Sequence, residues 1–257
     1  MSPTTSSSAS GLQVVRRAAS VLRVVGREGG GPRLADLAPM VDLPKTTLHR
    51  VVGALAEEGL LRVDPSGRIW LGSELIELSR AATADLAAQV RPAVQRLHRA
   101  VDETVDVAIV EGATVRFIDQ IQSTRPLRAV SAVGAVFPLH ASANGKAALA
   151  AMAPADAAPV LAGPLEPLTP ATITDAAVLR AELAEIARSG IGYDRQEHTV
   201  GICAVGAAVV GPAGPVLTLS LPVPTDRFIE HQDDLVAALR TAVAEATDLL
   251  GLAHDPA

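Results

Sequence analysis

Between Leu34 and Gly72 the apolar positions fall into two helical registers followed by two short strands. Leu34, Leu37, Ala38 and Val41 stand at i, i+3, i+4 and i+7, one apolar face of a helix. Asp42-Leu43-Pro44 breaks the run, and Leu48, Val51, Val52 and Leu55 repeat the spacing. Pro39 sits late in the first of these helices and cannot donate to the carbonyl of Ala35, so that helix is very short or bends. Leu61-Arg62-Val63 and Arg68-Ile69-Trp70-Leu71 flank the turn signal Asp64-Pro65-Ser66-Gly67. Helix, turn, helix and hairpin in this order read as a winged helix-turn-helix.

The polar side of the second helix changes the picture from fold to partner. Lys45, Thr46, Thr47, His49 and Arg50 crowd its start, and the hairpin adds Arg62 and Arg68. A core-packed helix that offers cationic, hydrogen-bonding and small groups outward suits a DNA major groove. A helix pair alone is common in folds with no nucleic-acid role; the basic hairpin directly after it favours DNA.

Upstream, Val14, Val15, Ala18, Val21, Leu22 and Val25 predict a first helix, stopped by Gly29-Gly30-Gly31-Pro32. Residues 1–10 are Ser/Thr-rich and are expected to be a disordered tail, with no basic or apolar run of a signal peptide. The first domain then spans 11–72. Residues 73–89 read as a linker helix, broken near Pro92 before a separate helix Ala93 to Val101. A second domain covers 90–257. It alternates strands (Thr104 to Val110, Thr114 to Gln122, Leu127 to Val133, Ile191 to His198, Ala204 to Val210, Val216 to Leu221) with helices (Ala143 to Met152, Pro154 to Leu161, Asp175 to Ser189, Arg227 to Leu250). Hairpins rather than strict βαβ units indicate an α+β sandwich.

Composition refines this. Hydrophobic residues make up 49% and aromatic residues 2%, so the cores must be built from Ala, Val and Leu. The net charge of −6 is uneven: residues 1–72 hold 9 Lys+Arg against 6 Asp+Glu, and the remainder 13 against 22. A basic head on an acidic body fits that asymmetry. The single Cys203 allows no internal disulfide, no Cys/His metal spacing occurs, and no apolar run spans a membrane. The cytoplasm is the expected compartment, with no membrane partner and no cofactor.

Two regions of the second domain carry chemistry. A helix starting near Ala143-Asn144-Gly145 presents backbone N–H groups that would hold a carboxylate, although Ser142 can simply cap it and Lys146 can simply be solvated or paired. Asp194, Glu197, His198 and Cys203 form a polar cluster on or beside a strand. It offers a Cys–His nucleophile or a metal site in principle, but no nucleophile elbow or strong ligand spacing accompanies it.

These motifs together resemble the IclR family of bacterial transcription regulators over nearly the whole chain. The matching pieces are Leu43-Pro44-Lys45-Thr46-Thr47-Leu48-His49-Arg50, Trp70-Leu71-Gly72, Pro138-Leu139-His140-Ala141-Ser142 with Gly145-Lys146-Ala147, and Gly192-Tyr193-Asp194 with Glu197-His198 and Gly201. The resemblance implies an N-terminal winged helix-turn-helix, a linker helix and a C-terminal GAF-like α/β sandwich effector domain. It also implies homodimers or dimers of dimers and a small organic acid as effector; two heads on a symmetric body would read a near-palindromic double-stranded DNA operator. Carried over by position, effector contacts fall on backbone donors at Ala143 and Asn144, on Asp194, on Ala204 where relatives have a cysteine, and on Ser220. A second serine position holds Pro222. Cys203 is one residue early, which on a strand points to the other face. Gly134 is expected to leave room for the ligand.

The leading expectation is a ligand-responsive, non-enzymatic DNA-binding regulator. The rivals are an enzyme using Asp194, His198 and Cys203 on a GAF-like scaffold, and a module that pairs only with protein.

Overall fold

The computed structural model describes residues 6–252 and divides the chain into two compact units, residues 1–82 and 83–257. In the first, α1 (Ser6–Glu28), α2 (Leu34–Val41) and α3 (Lys45–Glu57) precede a hairpin of β1 (Leu61–Val63) and β2 (Ile69–Leu71). The α1 helix begins inside the stretch expected to be a tail; residues 1–5 lie outside the described residues. Despite Pro39, α2 completes two turns, and Asp42 ends it in the left-handed region (φ 49°). Val21, Val25, Leu37, Leu48, Val52, Leu55, Leu61 and Ile69 form one buried core, so the two helical registers read from the sequence face each other and the hairpin.

The linker expectation needs correction. One helix, α4 (Glu74–Val101), runs unbroken through Pro92 and crosses the division between the units. Proline removes one hydrogen bond from a helix but does not end it when the flanking turns are packed. Val90, Ala93, Val94 and Leu97 on either side of it are all buried in the second unit's core.

That unit is built on a six-stranded sheet, every recorded pairing antiparallel, in the order β5-β4-β3-β8-β7-β6. The strands are β3 (Val105–Glu111), β4 (Thr114–Ile121), β5 (Val136–Pro138), β6 (Gly192–Arg195), β7 (Ile202–Gly211) and β8 (Gly214–Pro224). Side chains alternate across the sheet. Val105, Val107, Val205, Val209, Leu217, Leu219 and Leu221 pack with α4 and with α8 (Thr225–Leu249). The opposite face meets α5 (Ala143–Ala151), α6 (Pro154–Ala162) and α7 (Ala176–Ser189), with Ala108, Phe117, Ala147, Ala148, Leu179 and Leu183 in its core.

The stretch expected as a strand from Leu127 to Val133 is a loop, and the edge strand comes later, at Val136–Pro138. Its polar backbone is tied by side chains instead of a ladder. Thr104 Oγ1 donates to Ala129 O at 2.6 Å, and Gln120 Nε2 donates to Ser131 O. No helix among the described residues is long and apolar enough to cross a membrane.

Candidate functional site

The first unit presents a polar helix start. Lys45, Thr46, His49 and Arg50 on α3 are exposed, while Leu48 and Val52 anchor the opposite side; Thr47 is half-buried and points less directly outward. Pro44 precedes the helix without a side-chain cap, leaving the first N–H groups open. In the hairpin, Asp64 does the folding. Its Oδ1 accepts from the N–H of Ser66 (2.9 Å), the hydroxyl of Ser66 (2.6 Å) and the N–H of Arg68 (3.0 Å), and its Oδ2 accepts from Trp70 Nε1 (3.0 Å). These donors hold the Asp64 carboxyl well below the usual carboxylate range. Arg62 is exposed, its guanidinium 6.0 Å from the Trp70 ring centre. Arg68 is placed differently from the sequence expectation. Its Nη1 donates to the carbonyls of Gly30 and Gly31, both at 3.0 Å, so it fastens the hairpin to the glycine loop after α1.

The second unit holds a cavity of about 260 Å³ on the α5 face of the sheet. Strand register explains how it forms. Gly192, Gly206, Ser220, Asp106 and Gln120 stand in one row across five strands, and Asp194, Ala204 and Pro222 in another. The two glycines let the start of α5 lie directly on the sheet. A Cβ at Gly206 would come within 2.4 Å of the Asn144 nitrogen, and one at Gly192 within 2.3 Å of the Ala143 carbonyl oxygen. Where the glycines end, Ser220 and Asp106 line open space with Ala204, Pro222, Phe117, Phe137 and His198. The His198 ring stacks on Phe137 at 3.6 Å between centres.

Ala143, Asn144, Asp194, Ala204 and Ser220 therefore converge as expected from the sequence. Gly134 does not join them. It turns the chain at φ 89°, with its N–H bonded to Phe117 O, outside the cavity lining. Ser142 does not cap α5 either; its hydroxyl donates back to Pro138 O at 3.0 Å. The N-cap side chain therefore leaves the first N–H groups of α5 uncapped, although the Gly145 N–H donates to Asn144 Oδ1 at 3.1 Å. Asn144 is 2% exposed, and its Nδ2 is the one buried side-chain donor or acceptor without a partner among the described residues.

Asp106 and Arg128 line the cavity and were not read from the sequence. Asp106 is buried, and its two oxygens accept from Gln120 Nε2 and Ser131 Oγ, each at 2.7 Å. Burial pushes its carboxyl up to about 6. Burial also pushes Asp194 up to about 7, aided by neighbouring Glu197. Lys146 is fully buried, bonded to both Glu197 oxygens at 2.7 Å and to Glu182. Arg128 stands exposed at the rim.

The Asp194, His198 and Cys203 grouping does not assemble. Asp194 and His198 line the cavity, while Cys203 lies on the opposite face with Sγ 3.6 Å from Thr225 Oγ1. No group of three or more His, Cys, Asp or Glu residues suits a metal ion among the described residues. A larger groove of about 450 Å³ opens on that opposite face, beside Arg195, Cys203 and the first turns of α8, but contains no buried polar atom lacking a partner.

Comparison with known proteins matches the two units separately. The IclR helix-turn-helix domain family covers residues 14–65, and the bacterial transcriptional regulator IclR C-terminal family covers residues 79–248. The HTH-type transcriptional regulator Rv1719 of Mycobacterium tuberculosis is 41% identical over 236 residues, covering 91% of each chain. The HTH-type transcriptional regulator TtgV of Pseudomonas putida is 34% identical over 232 residues, covering 90% of this chain and 89% of its own. Among solved structures, an IclR homologue from Microbacterium hydrocarbonoxydans, complexed with 4-hydroxybenzoate, superposes with a TM-score of 0.62 at 26% identity, covering 93% of this chain and 99% of its own.

Proposed function

The chain belongs to the IclR family of bacterial transcriptional regulators, and on that premise we propose that a small organic acid, held where α5 meets the sheet, tunes binding of its winged heads to a near-palindromic operator. The chain is a regulator and not an enzyme: its matched relatives are transcriptional regulators. Cys203 also lies apart from His198.

One observation carries the effector reading. Asn144 presents a buried amide with an unused donor beside the uncapped start of a helix, and both border the same cavity. A buried donor without a partner costs stability unless a ligand completes it. A carboxylate there gains the helix N–H groups and the favourable end of the helix dipole. Phe117, Phe137, the His198 ring, Ala204 and Pro222 give the rest of the ligand an apolar, ring-accepting wall. The 4-hydroxybenzoate held by the Microbacterium homologue is a ligand of this kind.

On the DNA side, Thr46 and Arg50 face bases, with Lys45, Thr47 and His49 shared between bases and phosphate, and Arg62 follows the flanking backbone. One head makes few contacts, so two heads of a homodimer, or a dimer of dimers, read paired half-sites. The cytoplasm, where operator DNA lies, is its place of action.

Calorimetry of benzoate and 4-hydroxybenzoate against wild type and Asn144→Ala tests the cavity. Loss of the amide should weaken binding about tenfold, the effect of one hydrogen bond to a charged group. Equal affinities in a variant of unchanged melting temperature would place the ligand elsewhere.

A further inference from the structure

The inner end of the cavity poses a charge problem. It is built to hold an acid, yet a carboxyl stands in it. Asp194 is 6% exposed and faces the cavity in register with Ala204 and Pro222. Its Oδ1 accepts from the backbone N–H of Glu197 at 2.6 Å and of His198 at 3.4 Å. These bonds fix the group through Oδ1; among the described residues Oδ2 has no hydrogen-bond partner and is open to the cavity.

The neighbouring cations do not neutralise it. Lys146, from α5, is held between Glu197 and Glu182 of α7. Arg195 lies over the Tyr193 ring, 4.2 Å from its centre, at a position paired with Cys203. The His198 ring is stacked on Phe137, with Nδ1 beside Thr199 Oγ1 at 2.9 Å. Arg128 is exposed at the rim and donates to Arg125 O. Across the cavity, Asp106 has both oxygens engaged by Gln120 and Ser131 and adds a further acidic group.

We infer that Asp194 binds the effector as a carboxylic acid: its protonated Oδ2 donates to a ligand carboxylate beside the Asn144 amide, so that a monocarboxylate enters together with one proton from solvent. This rests on the acid-effector reading and adds to it the protonation state and the ligand's charge. The proton balance is simple. An ionised Asp194 and a ligand anion take up one proton between them and share it in one hydrogen bond. The raised position of the Asp194 carboxyl, caused first by burial, makes that uptake easy near neutrality. An incoming anion raises it further. The inner end then offers only donors: the Asn144 amide, the Asp194 acid, the Ser220 hydroxyl and the α5 N–H groups. A second carboxylate on the ligand would meet Asp106 without a paired cation, so dicarboxylates are excluded.

The test is calorimetry of the full chain with benzoate, 4-hydroxybenzoate and hexanoate from pH 6.5 to 8.5, in buffers of different ionisation enthalpy. Wild type should take up close to one proton per ligand at pH 8.5, with affinity falling about tenfold per pH unit above neutrality. Asp194→Asn keeps an acceptor for the two backbone N–H groups and puts a permanent donor in place of the acid. It should bind the same acids with no proton uptake and with little pH dependence, and benzene-1,4-dicarboxylate should bind both proteins at least a hundredfold more weakly than benzoate. Wild-type binding without proton uptake, together with loss of binding in a folded Asp194→Asn protein, would overturn this inference and leave the acid site standing. Absence of binding by all three acids at every pH would remove both.

Discussion

Arg91, the residue before Pro92 in α4, bonds through Nη1 to both carboxylate oxygens of Asp119. Asp119 adjoins Gln120, whose amide holds Asp106 at the cavity wall and Ser131 in the loop over it. The cavity is thus tied to α4 through the Arg91–Asp119 ion pair, the Gln120 backbone N–H that donates to Asp119 at 2.8 Å, and the Gln120 amide. Arg91→Ala should leave benzoate affinity within about threefold. It should reduce the effect of benzoate on operator affinity by roughly 0.5–2 kcal/mol, the range for residues that carry coupling. Operator titrations with and without ligand measure this, and unchanged coupling would locate the signal in another contact.

On the DNA side, Arg50→Ala should cost roughly 1–3 kcal/mol at the specific operator and relax discrimination at one position. Lys45→Ala should weaken specific and random DNA alike and lower the salt dependence by about one counterion. Fluorescence anisotropy at several salt concentrations separates the two behaviours. Equal losses for both variants on every sequence would show that α3 touches only the backbone.

Trp70 is the only tryptophan, and its ring nitrogen donates to Asp64. Its emission therefore reports the hairpin and the Gly31 segment on which its ring packs. Asp64 has a lowered folded-state position, so its stabilising effect is present above the ordinary carboxylate range and is lost as pH falls through the folded value. Wild-type emission should stay native well below pH 4. Asp64→Ala should shift Trp70 emission to the red at neutral pH and speed amide exchange of Ser66, Gly67 and Arg68. A native spectrum in that variant would mean that packing, not the carboxylate, shapes the turn.

Gly206→Ala would drive a Cβ to 2.4 Å from the Asn144 nitrogen, with the Ala143 carbonyl carbon at 2.6 Å. Both are backbone, so the helix must shift. Overpacking of this kind costs typically 1–3 kcal/mol. Thermal unfolding should show the loss, and acid binding should fall more than tenfold because the donors move together. Retained affinity would show that α5 does not hold the ligand.

The buried Asp194 gives stability a pH signature. Its folded value, about 7, lies above the ordinary 3.8, so the folded chain binds the extra proton between those limits and stability falls as pH rises through that window. His198 acts oppositely: burial lowers its folded value, so stability declines as pH drops below the ordinary 6.5. The difference between wild type and Asp194→Asn cancels the histidine. Denaturant midpoints should diverge from pH 5 to about 7 in favour of the variant and level off above that. Parallel curves would mean that Asp194 stays ionised in the folded chain.

Much of this was legible because it is local. The i, i+3, i+4, i+7 spacing from Leu34 to Leu55 and the Asp64-Pro65-Ser66-Gly67 turn depend on near neighbours alone. What stayed hidden depends on distant pairing. Asp106 meets the cavity because β3 pairs with β8, more than a hundred residues away, which sets it opposite Ser220. No periodicity encodes that partnership. Leu127 to Val133 looked like a strand because its apolar residues fit one, but Thr104, Asp106 and Gln120 take up polar groups of that loop. Pro92 looked like a break because proline's local cost is visible in sequence, whereas the packing of Val90, Ala93 and Val94 that offsets it is not.

The Asp64 turn has a thermodynamic consequence for DNA encounter. Four donors converge on one carboxylate, so the hairpin's backbone is already ordered in the free protein. Its conformational entropy is lost during folding and not again at the operator. Contact by this segment is then rigid docking, with a small heat-capacity change relative to a wing that folds on arrival. Differences in affinity between operators should accordingly reside in dissociation rather than association rates.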